Sequence, residues 1–532
     1  MFLSRPVCFK KSKMKSHPVV LITLNDYDNL GVGYLAAVLL KKGFEVKVID
    51  ARKKKYIILK ILKTIDPVVI GFSVIFLNNI KIFSDLIDYL RRGGIKCHFT
   101  AGGHYASLKY SELFEIIPQL DSIVRFEGEF TLFELVKCIQ SGSEWKKTIG
   151  IIFKDENKII INPLRKVEQD LDKFPFPLRS NIKTYAFKKR FTTILAGRGC
   201  VNNCSFCNTR EFYRQSSGPI KRIRKPEMVV REMEYLYRKK RCSIFLFHDD
   251  DFPIKTKSGL NWGSNFCNEI EQNGLNGKIM WKINCRPDEV NEESFLIMKK
   301  NGLFLVFLGI EDGTDPGLSA LNKKMSIEEC LYGINILRKL GIEFDFGFML
   351  FQPSTTFRSL NENLVFLRQI CGDGYTPVTF NRLLPSYGTR VEKELLNSGR
   401  LKYKDGDNDY DFIDEAMDKY YEYVMDCFNE WLRDPHGVEN ISKWSRNYFS
   451  IYYHYFKTTP ESKKFRKRIN KYISESNLFL VDTMIELSVF FESNHYRINI
   501  SLLENRRIEI KVKHDFYKYR LINTMADFLE TV

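Results

Sequence analysis

The feature that most constrains the fold is a strand–helix alternation that runs through the chain twice. Between residues 18 and 140, apolar runs at 18–24, 45–49, 67–73, 96–101 and 121–125 alternate with amphipathic stretches at 30–42, 78–92 and 130–140. Short apolar runs separated by helical periodicity are buried on both faces, and this predicts a doubly wound parallel sheet. Ligands of such sheets lie beyond the carboxyl ends of the strands. Those ends carry Asn25–Asp28, Ser73, Gly102, Gly103, His104 and the Glu127-Gly128-Glu129 run. From residue 191 the alternation resumes, with strands expected at 191–196, 242–247, 278–284, 303–310, 342–350 and 376–384. Helical patterns follow them near 226–241, 260–273, 289–301, 326–340, 356–371 and 389–399. A closed eight-unit barrel needs about 250 residues. Six units in a shorter stretch predict a partial (β/α)6 barrel, so the fold class is α/β.

Two hairpins and a change of texture complete the layout. Residues 149–162 read as a hairpin turning at Asp155–Lys158, and 163–190, with Pro163, Pro175 and Pro177, as a connector. Beyond about 400 the chain becomes aromatic at helical spacing over 411–457. Residues 495–513 alternate like a two-stranded hairpin, and the last twenty read as a helix. The expected domains are a 1–17 extension, a sheet domain at 18–145, a hairpin and linker at 146–190, a barrel at 191–390 and a mostly helical region at 391–532.

Among 532 residues, 44% are hydrophobic and 14% aromatic, enough for more than one buried core. The formal charge of +17 comes from Lys and Arg spread along the chain, as expected of solvated surface. The apolar stretch after Pro18 is interrupted by Asp26 and does not make a secretory signal, and no run approaches the roughly 18–20 residues that span a bilayer. A cytoplasmic, reducing location is therefore expected, where twelve cysteines stay free or bind metal.

Three cysteines carry the chemistry. Gly197-Arg198-Gly199-Cys200-Val201-Asn202-Asn203-Cys204-Ser205-Phe206-Cys207 follows the first barrel strand, at the end where catalytic groups gather. Thiolates this close on one loop can hold an iron–sulfur cluster. Such clusters commonly take four thiolates, so three leave one iron open. A structural zinc site wants four ligands, and no fourth Cys or His stands nearby in sequence. Of the other cysteines, Cys285 follows the third barrel strand and is the best candidate for a hydrogen donor or substrate contact.

The Cys200–Cys204–Cys207 spacing, with Phe206 before the last cysteine, resembles the radical S-adenosylmethionine (SAM) superfamily. The resemblance implies a 4Fe-4S cluster on Cys200, Cys204 and Cys207, whose free iron chelates SAM and yields a deoxyadenosyl radical. It continues through Phe247–Phe252, which implies SAM contacts from Asp249 and Asp250. It also covers Asn284 and Arg286 after the third strand, and Gly309-Ile310-Glu311-Asp312-Gly313 at the end of the fourth. Phe206, Asp249, Asp250, Asn284, Arg286 and Glu311 are thus the implied SAM-binding set. Phe351-Gln352-Pro353-Ser354-Thr355 departs from the family's fifth-strand element, so no adenine contacts are transferred.

Residues 18–185 resemble the cobalamin-binding domain that precedes the barrel in one subgroup, through Gly31–Leu40, Gly43–Asp50, Ala101–His104, Arg125–Glu129 and Asp172–Pro177. This implies cobalamin contacts from Ser73, Gly102, Gly103, His104 and Glu127. The Asp-x-His-x-x-Gly element that ligates cobalt in methionine-synthase-like domains is missing, since Ala51 and Arg52 follow Asp50.

The resemblance implies a cobalamin-dependent radical enzyme that methylates an unactivated carbon of a peptide or natural product. The alternative is rearrangement, cyclisation or epimerisation with the same cofactors. The basic charge raises RNA methylthiolation as a third reading, but Cys8, Cys97 and Cys138 do not form the second cluster that such enzymes carry. A non-enzymatic iron–sulfur scaffold would not need so complete a set of polar strand ends. The expected partners are a peptide or small-molecule substrate and an electron donor such as flavodoxin or ferredoxin; nucleic acid and a membrane span are not expected.

Overall fold

The structure, a computed structural model, describes residues 17–24, 29–156, 158–179, 181–254, 261–404, 406–493 and 500–532, with side chains in the last segment from Leu503. The chain divides into two compact units. One runs to Val167 and includes Lys173–Asn181; the other comprises Glu168–Asp172 and Ile182–Val532.

The first unit is built on a seven-stranded sheet. Val46–Asp50, Val19–Thr23, Val69–Ser73, His98–Gly102 and Ser122–Val124 lie side by side in that order and all run parallel. This is the doubly wound order in which the first strand is flanked by the second and third, creating a topological switch point. Val19, Leu21, Val32, Ala36, Leu39, Leu132 and Leu135 are buried in one core between sheet and helices. The expected hairpin forms as Ile151–Asp155 and Lys158–Ile161 and extends the same sheet, antiparallel to Ser122–Val124.

The second unit holds the partial barrel. Arg190–Ile194, Cys242–Phe247, Met280–Cys285, Leu303–Glu311 and Glu343–Phe348 are consecutive parallel neighbours. A short antiparallel strand, Lys183–Thr184, closes the first edge. Five of the helices that follow barrel loops are started by a side-chain cap. Asn261, Asn291, Ser326, Thr356 and Thr389 accept the amide N–H of Ser264, Ser294, Glu329, Ser359 and Glu392. These caps satisfy donors that the first helical turn leaves open.

Two sequence expectations are corrected. The sixth barrel strand, expected over 376–384, is extended chain with one isolated parallel bridge, Phe351–Arg382. It is held by Asn381 N–H to Phe348 O at 2.8 Å and Leu383 N–H to Phe351 O at 2.7 Å. Pro377 lacks an N–H and so cannot extend the ladder. The hairpin expected over 495–513 is helical from Ile500 onward, in a helix that runs to Glu530; residues 495–499 lie outside the described residues. Ile510, Tyr517, Leu521, Met525 and Phe528 bury one face of that helix. Ile508 and Val512, which completed the apparent alternation, remain 55% and 61% exposed.

The helices Glu415–Arg433, Val438–Tyr455, Pro460–Ser493 and Ile500–Glu530 share a continuous core with the barrel, including Phe351, Tyr420, Met484, Phe491 and Phe528. The fully buried Arg446 joins them to the start of the fifth barrel strand. Its guanidinium donates to Glu343 at 2.7 and 3.0 Å and to Asp345 at 3.1 Å.

Candidate active site

The cysteine loop is held at both ends before any ligand is considered. On one side Gly197–Arg198 pairs antiparallel with Arg222–Ile223. Gly199 follows with φ +81°, and a Cβ there would lie 1.9 Å from the Ile220 carbonyl oxygen, so only glycine fits. On the other side Ser205 N–H donates to Leu321 O at 2.9 Å, and Asn322 Nδ2 donates to Asn203 O at 2.5 Å.

The loop opens on a cavity of about 490 Å3 at the carboxyl ends of the barrel strands, lined by Cys200, Cys204 and Cys207. Phe206, Asp249, Asp250, Asn284, Cys285, Arg286 and Glu311 line the same cavity. One space therefore brings together every residue that the sequence assigned to the cluster, to SAM and to hydrogen donation.

The Asp249 carboxylate is taken up by the main chain, accepting from Gly197 N–H at 2.6 Å and Ala196 N–H at 3.0 Å. Burial, only partly offset by these bonds, pushes its pKa up to about 7. Asp250 accepts from Gly199 N–H at 3.2 Å and Thr209 Oγ1 at 3.3 Å. Asp251 accepts from Lys221 at 2.6 Å and lies 3.9 Å from the Cys200 sulfur. The acidic run thus braces the cysteine loop along its length.

Asn202 directs both its backbone N–H and its side-chain amide at the Cys200 sulfur, each at 3.4 Å. Burial and Asp251 push the free Cys200 thiol up to about 11, and burial raises Cys204 as well. A metal would favour the thiolate form. Among the described residues no three His, Cys, Asp or Glu side chains converge closely enough to share one metal ion. A cubane cluster asks each thiolate for a separate iron corner, and three cysteines on one wrapped loop fit that demand.

Arg286 is held by Asp288 at 2.8 and 2.9 Å. Glu311 ends its strand with φ +76°, and its carboxylate lies 3.8 Å from Lys323. Burial raises the Glu311 pKa and Lys323 opposes that rise. Cys285 is buried, and its thiol is pushed well above its usual range.

Two family profiles match the chain in tandem, the B12 binding domain over residues 17–136 and the Radical SAM superfamily over residues 194–364. The chain belongs to the radical SAM superfamily, in the branch with an amino-terminal B12-binding domain. The cofactors of this pair of domains are cobalamin, a 4Fe-4S cluster and SAM. The radical SAM enzyme described here is 25% identical over 379 residues to an uncharacterised methyltransferase of Pyrococcus horikoshii, covering 70% of this chain and 79% of that one. It is 28% identical over 306 residues to the anaerobic magnesium-protoporphyrin IX monomethyl ester cyclase of Rubrivivax gelatinosus, covering 55% of this chain and about half, 53%, of the cyclase. A hopanoid C-3 methylase of Methylococcus capsulatus is 26% identical over 59% of each chain. The fold matches the cobalamin-dependent radical SAM enzyme OxsB with a TM-score of 0.70 over 97% of this chain and 81% of that one, at 17% identity. It matches the methyltransferase TsrM of Kitasatospora setae with a TM-score of 0.61 over 72% and 76%, at 19% identity.

In the B12-binding domain, Ser73 and Gly102 are register partners at the carboxyl ends of adjacent strands. Gly103 follows at φ +114°, where a Cβ would meet the Val74 carbonyl oxygen at 2.6 Å. His104 begins a short helix, and burial pushes its pKa down to about 4. Glu127 follows the strand Ser122–Val124. All five residues sit on or just after strand ends at the edge that holds ligands in such sheets.

Sequence reasoning missed His248, Asp251, Lys282, Phe307 and Lys323, all of which line the barrel cavity. Two-residue alternation along the third strand could have found Lys282, because it precedes Asn284 by two positions. No local signal marks Lys323, which reaches the cavity from a turn between helices. Among the described residues no helix is long and apolar enough to cross a membrane.

Proposed function

We propose that this radical SAM enzyme is a cobalamin-dependent methyltransferase acting on an unactivated carbon of a peptide or other natural product. The observation that carries the reading is the convergence of Cys200, Cys204 and Cys207 with Asn284, Arg286 and Glu311 on one cavity, in a chain that also has a B12-binding domain. When bound, the cluster and SAM supply a deoxyadenosyl radical, and cobalamin supplies a transferable methyl group.

The chain's own residues divide the remaining work. Asn202 points two donors at the Cys200 sulfur, and Asp249 holds the strand end from which the cysteine loop departs. Asn284, Arg286 and Glu311 face the cavity as the SAM-holding set, and Phe206 borders it. Asp250 acts through the loop rather than on the cofactor, because its carboxylate is engaged with Gly199 and Thr209. Ser73, Gly102, Gly103, His104 and Glu127 form the cobalamin edge. A flavodoxin- or ferredoxin-type donor would supply the electron. The relatives named as methyltransferase and methylase support methyl transfer.

Cys285 favours a second reading, epimerisation or another redox-neutral rearrangement. Burial keeps its thiol protonated at the cavity wall, as a hydrogen donor requires. Anaerobic reconstitution with iron, sulfide and hydroxocobalamin separates the two. Methyl transfer predicts equal yields of 5′-deoxyadenosine and S-adenosylhomocysteine, lost on Cys204→Ala and retained on Cys285→Ala. Deoxyadenosine without S-adenosylhomocysteine, with an epimerised product that is lost on Cys285→Ala while deoxyadenosine still forms, selects the second reading. Neither product from reduced protein defeats both.

A further inference from the structure

One charged group in the cavity has no part in holding the cluster loop. Lys282 lies on the third barrel strand, two residues before Asn284 and on the same face. Its ammonium donates to Asn284 Oδ1 at 2.6 Å and sits 5.4 Å from the centre of the Phe307 ring. The Asn284 amide is fixed in that orientation, because its Nδ2 donates to the Asp249 carbonyl at 3.0 Å.

The other cations lining the cavity are paired, Arg286 with Asp288 at 2.8 Å and Lys323 with Glu311 at 3.8 Å. Among the described residues no carboxylate lies within 4.0 Å of the Lys282 ammonium. The Asp345 field reaches it from the fifth strand, but that carboxylate accepts from Arg446 at 3.1 Å. Burial lowers the Lys282 pKa below the usual lysine range, so the ammonium is held at a cost that its neighbours do not offset. His248 opens on the same cavity. Burial and the Lys282 charge push its pKa down to about 4, which leaves a neutral imidazole able to donate or accept.

We propose that Lys282 anchors an acid group of the substrate, a carboxylate or a phosphate, with the Phe307 ring against the adjoining carbon skeleton. A walled ammonium with one neutral partner gains most from an incoming anion, and few such polar groups orient a ligand in a pocket. The aromatic face beside it suits apolar carbons next to the acid. This narrows the substrate class of the radical reading above and rests on it.

The test uses the reconstituted holoenzyme with SAM bound and calorimetric titration of three probes: 3-phenylpropionate, phenyl phosphate and neutral 3-phenylpropionamide. At least one acid is expected to bind about tenfold more tightly than the amide, because a site built for a charged group rejects the analogue that lacks it. Comparing the two acids shows whether the site takes a carboxylate or a phosphate. Lys282→Gln should erase the preference, and Lys282→Arg should keep it within about threefold. SAM titrated into Lys282→Gln should bind within about twofold of wild type. The proposal is overturned if neither acid binds, if the amide binds as well as both acids, or if Lys282→Gln leaves the preference intact. It is also overturned if Lys282→Gln weakens SAM about tenfold, since the ammonium would then serve the cofactor's carboxylate. Deoxyadenosine formed by the wild-type preparation is read separately. Its absence counts against the radical reading alone, whatever the acid preference.

Discussion

Asp249 shows how a single side chain changes meaning once its partners are known. In sequence it belongs to an acidic run suited to a cofactor; in the structure its carboxylate satisfies the amides of Ala196 and Gly197. Asp249→Ala would leave two buried donors unmet, at about 1–3 kcal/mol each. Asp249→Ala is expected to lose more than half its iron on desalting, while Asp249→Asn, which keeps an acceptor oxygen, retains it; iron and sulfide analysis checks this. A pH effect belongs to His98, whose Nε2 lies 2.8 Å from Ser122 Oγ and whose pKa burial lowers to about 4. The unfolded chain takes up that proton near pH 6.5 and the folded domain does not. Stability is therefore fully present above pH 6.5 and is lost as pH falls from 6.5 towards 4. The loss is on the order of 2 kcal/mol after allowing for partial exposure. Urea midpoints at pH 5 and pH 7.5 should move together in wild type and His98→Gln except for this difference, and equal pH dependence in both would refute the assignment. Lys282 makes the converse point to Asp249, because alternation places it on the Asn284 face of its strand, but only the structure shows that among the described residues no carboxylate pairs with it.

Among the elements, the cysteine loop was the most legible, since three ligands within one short stretch need no tertiary partner to be recognised. The parallel strands were legible for the same local reason, as continuous apolar runs flanked by capped helices. Two elements were misread where local pattern underdetermines structure. Ile508, Ile510 and Val512 alternate like a strand, yet Ile510 joins Tyr517 and Leu521 on one buried helical face. The sixth barrel strand has the right composition, but Pro377 and its edge position limit it to isolated pairing. The junction of Val438–Tyr455 with the barrel also escaped the sequence, because Arg446, Glu343 and Asp345 are about a hundred residues apart. Arg446→Met would leave the Asp345 carboxylate without its cation and Glu343 with Arg466 alone, at about 3–5 kcal/mol. The double variant Arg446→Met/Asp345→Asn, which leaves Glu343 paired with Arg466, should recover at least half of that loss. Chemical denaturation of both proteins measures it, and equal stability would show that the charges do not matter.

For the molecule as a whole, the barrel and the helices beyond residue 415 bury one another's apolar surface in a single cluster. Deleting residues 415–532 would expose Phe351 and Phe357, whose rings pack against Tyr420. A patch of that kind drives association. The truncated chain is expected to aggregate, whereas full-length protein elutes as a defined species in size-exclusion chromatography with light scattering; a soluble, cluster-loading truncation would contradict the shared core. The sequence alone determined the two strand–helix alternations, the cysteine loop and the family to which they belong, because each is written in short-range periodicity or spacing. Only tertiary structure decided that Asp249 braces a loop, that Arg446 docks a helix and that Lys282 meets an amide oxygen and not a carboxylate in the cavity. Those facts depend on which distant groups come within hydrogen-bond reach, and no local pattern carries that information.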